Sequence, residues 1–142
     1  MINATIENGK VYIEKPNNLE LYVQNCINDA VERLKGHELV KEDPLKYVIR
    51  TILGLDQAHD PEWQPYARFA KDNLADTETA MKFLTEHYQE VKEVVEHMVD
   101  HFGNDFYEYT FDKGFDLVRL TVIVYHEIID QIAGQLNLRD DD

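Results

Sequence analysis

Apolar and polar residues alternate through residues 2–14 around Asn8-Gly9, and a period of two lays one face of a strand pair toward a core. Asn-Gly suits a type I′ turn because both central residues take positive φ. A short hairpin is therefore predicted, with Ile6 opposite Val11 and Ala4 opposite Ile13 on one side and Thr5 and Tyr12 on the other. Two strands alone are marginal in water, so they must lean on helices. From residue 17 the period becomes helical. Leu19, Tyr22, Val23, Cys26, Ile27, Ala30, Val31 and Leu34 recur at three and four, behind a cap at Asn17 or Asn18 and ahead of Gly36. Asp43-Pro44 opens a second helix with Leu45, Val48, Ile49, Ile52 and Leu53 inward, expected to end near Ala58. Asp60-Pro61 repeats that start, but Pro65 lacks an N–H, so a turn over 60–64 and a short helix over 65–74 are predicted.

Asp76 caps what reads as one long helix, 77–102, with an apolar face of Ala80, Leu84, Tyr88, Val91, Val95, Met98 and Phe102 and a stop at Gly103. The last helix, 115–136, is apolar over a wide arc, as the central element of a core would be. Residues 106–111 offer a third strand. The fold class that follows is α+β, mostly α, in a single domain: a hairpin over 1–14, a helical body of four to five helices over 17–136 and an acidic tail over 137–142. The longest apolar stretch, 117–132, is broken by Arg119, His126, Glu127 and Asp130 and is shorter than the roughly 20 residues a bilayer requires, so no membrane span is expected. Glu7, Glu14 and Glu20 replace the basic start and apolar run of a signal peptide, which predicts a cytoplasmic protein.

Charge changes this picture. The net charge is −14 and the pI is about 4.7, which excludes unaided binding to a phosphate backbone. The imbalance is local: residues 1–71 hold 11 acids and 9 bases, residues 72–142 hold 17 and 5. At 100° per residue Glu86, Glu90, Glu93, Glu96 and Asp100 form a stripe opposite the apolar face of the 77–102 helix, with Lys92 alone near enough to offset them. Asp105 and Glu108 extend the acids into a segment where Phe102, Phe106, Tyr107, Tyr109, Phe111 and Phe115 cluster. An acidic rim with aromatic anchors such as Tyr107 and Tyr109 suits a basic protein surface. The competing readings are a solvated acidic helix face and a strand whose rings pack on the hairpin.

Candidate chemistry narrows by elimination. The chain contains no serine and one cysteine, Cys26, placed on an apolar helix face where a thiol is inert. No glycine-rich turn cradles a nucleotide. Glu93, His97 and His101 recur every four residues, a spacing that chelates metal on one helix face, with His59 as a remote third ligand; ordinary surface histidines are the plainer reading, and no metal or cofactor is expected. His59-Asp60 matches the doublet of HD phosphohydrolases, but Asp60 before Pro61 is already a helix cap. Glu93-x-x-Glu96 followed by Glu127-x-x-Asp130 resembles the paired acidic motif of all-α MazG-like nucleotide pyrophosphohydrolases. That resemblance implies magnesium held by carboxylates that orient water.

In size, acidity and lack of catalytic motifs the chain also resembles small phage-encoded inhibitors of host defence, of the anti-restriction and anti-CRISPR type. This second resemblance implies a non-enzymatic module that occupies the basic nucleic-acid-binding surface of a host protein. Glu86, Glu90, Glu93, Glu96, Asp100, Asp105, Tyr107, Glu108 and Tyr109 would then contact the partner. The oligomeric state is open.

Overall fold

The computed structural model describes residues 2–34, 43–56, 67–102 and 117–139. Among them the fold is α+β and mostly helical: a two-stranded antiparallel hairpin followed by six helices. Strands β1 (Ala4–Glu7) and β2 (Lys10–Ile13) pair in the expected register, Ala4 with Ile13 and Ile6 with Val11. Asn8 and Gly9 both take positive φ, 53° and 76°, as the turn requires. Ala4, Val11 and Ile13 are buried, but Ile6, beside the turn, is 48% exposed.

Helix α1 (Asn18–Leu34) begins with a reciprocal capping box: Glu20 N–H donates to Asn17 Oδ1 at 2.8 Å and Asn17 N–H donates to Glu20 Oε1 at 3.0 Å. Its apolar face is the expected one, with Cys26 buried. Two amides on α1 were not anticipated. Ile13 N–H donates to Gln24 Oε1 at 2.8 Å, while Val11 N–H donates to Asn28 Oδ1 and Val11 C=O accepts from Asn28 Nδ2, both at 2.9 Å. The outward edge of β2 is thus closed by a helix rather than by a third strand.

Helix α2 (Pro44–Ile52) starts at Asp43, whose side chain accepts from Lys46 N–H, and buries Leu45, Val48, Ile49 and Ile52. It stops well short of Ala58. Gly54 adopts φ 74°, Gly54 N–H reaches Thr51 C=O at 3.1 Å, and Leu55 N–H reaches Arg50 C=O at 2.8 Å. That paired closure is a Schellman motif, which a left-handed residue permits and a continuing helix does not. After α3 (Ala67–Asn73), Asp76 caps α4 (Thr77–Glu86). The Thr79 N–H and hydroxyl both donate to its carboxylate, at 2.7 and 2.9 Å, and hold its pKa below the usual value.

The expected single helix over 77–102 is two helices, α4 and α5 (Tyr88–Phe102), which raises the count to six. At His87 the backbone leaves helical geometry, with φ −112° and ψ 29°. Tertiary packing accounts for the break. The Phe83 ring meets Phe69 and Tyr22 edge-on, with centroids 5.5 and 5.8 Å apart, and the His87 ring lies 4.8 Å from Phe83. Past the break Tyr88, expected inside, is 61% exposed, while Val91 and Met98 are buried.

Helix α6 (Leu117–Leu136) is the core element, packed against α1, α2, α4, α5 and β1. Val124, Tyr125, Ile128, Ile129, Ile132 and Ala133 are all buried on it. The residues just beyond it are structured, contrary to a tail beginning at 137. Asn137 takes φ 57°, Leu138 N–H donates to Ala133 C=O at 2.9 Å, and Leu138 is buried. Arg50 then ties this terminus to α2. Its buried guanidinium grips Asp56 through two nitrogens, at 2.8 and 3.2 Å, and donates to the carbonyls of Leu138 at 3.3 Å and Arg139 at 2.7 Å. The proposed 106–111 strand, Trp63, His59 and the terminal aspartates 140–142 lie outside the described residues.

Candidate functional site

The acidic stripe is laid over two helices. Glu86 closes α4, whereas Glu90, Glu93, Glu96 and Asp100 lie on α5. Glu86, Glu93, Glu96 and Asp100 are exposed and Glu90 is half-buried. Two of the five have a cationic neighbour: Lys82 Nζ is 4.0 Å from Glu86, and Lys92 Nζ is 4.0 Å from Glu96. Exposed pairs of this kind are worth only a few tenths of a kcal/mol. Asp105, Tyr107, Glu108 and Tyr109 lie outside the described residues.

Glu90 and Glu93 do more than face solvent. Both line a cleft of about 570 Å³ between α5, α6 and the start of α1, a volume typical of small-ligand sites. Its walls carry Glu20, Glu90, Glu93 and His97 beside the amides of Asn17, Gln131 and Gln135, over the apolar side chains of Ile2, Leu19, Val94 and Ile128. Gly134 also lines it, and a Cβ added there would meet nothing within 4 Å. No lysine or arginine is among its described lining residues.

The motif pairs proposed for metal chemistry separate in space. Glu93 borders the cleft and Glu96 turns toward Lys92. Glu127, only 13% exposed, lies 3.6 Å from His97 Nε2 and accepts from Gln131 Nε2 at 3.4 Å. Asp130 instead pairs with Arg139 at 3.0 Å. Among the described residues no three His, Cys, Asp or Glu side chains gather closely enough to hold a metal ion.

Three other titratable groups, Tyr22, Tyr125 and His126, are shifted by burial, and none of them lines the cleft. The Tyr22 phenol is pushed up to about 12 although it accepts from Asn73 Nδ2 at 2.6 Å, and the half-buried His126 imidazole is lowered.

The cleft was missed because each wall comes from a different segment. One local signal was available: on α6, Gln131, Gly134 and Gln135 follow Ile128 at helical spacing and interrupt an otherwise apolar helix. Compared with known proteins, the chain matches no family, no curated protein and no solved structure. Among the described residues no helix is long and apolar enough to cross a membrane.

Proposed function

We propose that the protein is a non-enzymatic acidic binding module that engages the basic surface of a nucleic-acid-binding protein and inhibits it by occupying that surface. The observation that carries this reading is the flank of α5. Glu90, Glu93 and Asp100 have no cationic partner among the described residues, and Glu86 and Glu96 beside them are only loosely paired. Along α5 the mean spacing of Glu90, Glu93, Glu96 and Asp100, about 3.3 residues at 1.5 Å each, is roughly 5 Å. The phosphates of one DNA strand recur about every 3.4 Å along the axis. A surface that receives phosphates therefore meets charges of comparable density here.

The test is to immobilise the protein, expose it to cell lysate, and elute with rising salt and with duplex DNA. Retained proteins should be displaced by both, because solvent-accessible charge pairs are screened with a Debye length of about 10 Å at 0.1 M salt and DNA contests the same ground. Reversing Glu86, Glu90, Glu93 and Asp100 to lysine should abolish retention with the fold intact. A well-folded quadruple variant that still holds the same partner at full strength would sink the reading.

A magnesium-dependent nucleotide pyrophosphohydrolase is the second reading, favoured by one observation. Glu93 and the Glu127–His97 pair lie along the same seam between α5 and α6. It requires a thermal upshift with excess Mg²⁺ or Mn²⁺, which the binding-module reading does not.

A further inference from the structure

We propose that the cleft between α5, α6 and the start of α1 receives an arginine side chain from the basic partner, with its guanidinium between Glu90 and Glu93 and its alkyl stem on the apolar floor. The proposal rests on the reading above that the partner is a basic protein, and adds what the cleft itself selects. Three carboxylates at the rim exclude an anionic occupant. A purely apolar one would strip water from those carboxylates and give nothing in return. A bare cation would leave Leu19, Val94 and Ile128 uncovered. Arginine supplies both parts, an apolar stem and a weakly hydrated planar head whose N–H fork matches carboxylate oxygens.

The carboxylates are not equivalent. Glu20 is engaged by the Asn17 N–H in the capping box, and His97 is drawn to Glu127. Glu90 and Glu93, one helical turn apart, have no ion-pair partner among the described residues, and two like charges at that spacing repel until a cation enters between them. Gly134 adds an independent observation. A glycine inside a helix is unfavourable relative to alanine, and here neither close packing nor positive φ calls for one. What the missing side chain leaves is open space in the wall of the cleft.

The probe is the peptide acetyl-Gly-Arg-Gly-Arg-Gly-amide beside its twin with citrulline at both arginines, which keeps the shape and removes the charge. Titrated into the ¹⁵N-labelled protein, the arginine peptide should shift the amide resonances of Val94, Gln131 and Gly134, and the citrulline peptide should not. Combining Glu90→Gln with Glu93→Gln should weaken binding at least tenfold. So should Gly134→Leu, which keeps every charge and fills the cleft. Neutralising Glu86, Glu96 and Asp100 together should weaken it less than threefold, and the same spectra show whether each variant is folded.

Equal binding of the citrulline peptide, unchanged binding by Gly134→Leu, or no binding of the arginine peptide to the unaltered protein would overturn the proposal. A loss confined to the Glu86, Glu96 and Asp100 variant would overturn the cleft as receptor while leaving the acidic surface as the binding ground. In the retention experiment the quadruple lysine variant reports on the acidic face as a whole, cleft carboxylates included, while the Glu86, Glu96 and Asp100 variant reports on the surface outside the cleft.

Discussion

The hairpin side of the molecule and the α4–α5 side treat polar groups in opposite ways. On the first, polar groups turned inward are answered: Gln24 and Asn28 satisfy the edge of β2, and Arg50 meets Asp56 and two terminal carbonyls. On the second, His87 Nδ1, at the break between α4 and α5, is buried without a hydrogen-bond partner among the described residues; the hydroxyl of Tyr125 on the central helix α6, whose ring stacks on Phe69 of α3 at 3.9 Å, shares that lack. Burial drives the Tyr125 phenol well above its usual pKa. An unsatisfied buried group costs about 1–3 kcal/mol, so stability is concentrated where polar groups are paired.

The contrast is tested hardest at Arg50. Arg50→Ala removes a guanidinium whose side chain is only 5% exposed and leaves the carbonyls of Leu138 and Arg139 without their donor. Asp56 stays partly in water, which puts the loss near the low end for a broken buried pair, about 3 kcal/mol by urea unfolding. Gln24→Ala should cost about 2 kcal/mol in the same assay, because the Ile13 N–H loses its acceptor in a buried setting. A loss below about 0.5 kcal/mol would show that water replaces the amide and that the hairpin side is no better satisfied than the other. The smallest effect has the opposite sign. Gly134→Ala should raise stability by about 0.5–1 kcal/mol, since the new methyl enters open space and the helix gains propensity. A decrease would mean that the glycine serves packing rather than the cleft.

Much of the hairpin side was legible because its determinants are local. Asn8-Gly9 set the register, the period of α1 set its buried face, and Asp43 and Asp76 capped as read. One helix end was misread, since α2 closes at Ile52 rather than near Ala58, whereas α6 ends at Leu136 as expected; both ends are closed in the same way. Gly54-Leu55 and Asn137-Leu138 each place a left-handed residue before an apolar one. That pair closes a helix even where apolar residues continue beyond it. The break at His87 was not legible, since the spacing around it fits one helix and only contacts from Phe69 and Tyr22 separate α4 from α5. Nothing in the local sequence marks Arg50 or Gln24, for the same reason: their partners lie in other elements. The acids from Glu86 to Asp100 were read as helical but on one helix where there are two, and the cleft that singles out Glu90 and Glu93 exists only once α1, α5 and α6 meet.

The Arg50 clamp also orders events in time. The bonds from α1 to β2 join residues 11 and 17 positions apart, whereas those from Arg50 to Leu138 and Arg139 span 88 and 89. Short loops close quickly and at low entropic cost, so the hairpin and α1 are positioned to assemble early, while the chain is still being made. The clamp must wait for residue 139 to clear the ribosome. The α6 wall of the cleft is finished at the same end of the chain, so a chain cut before the last turn of that helix would keep its acids and lose Gly134 and Gln135 from the cleft.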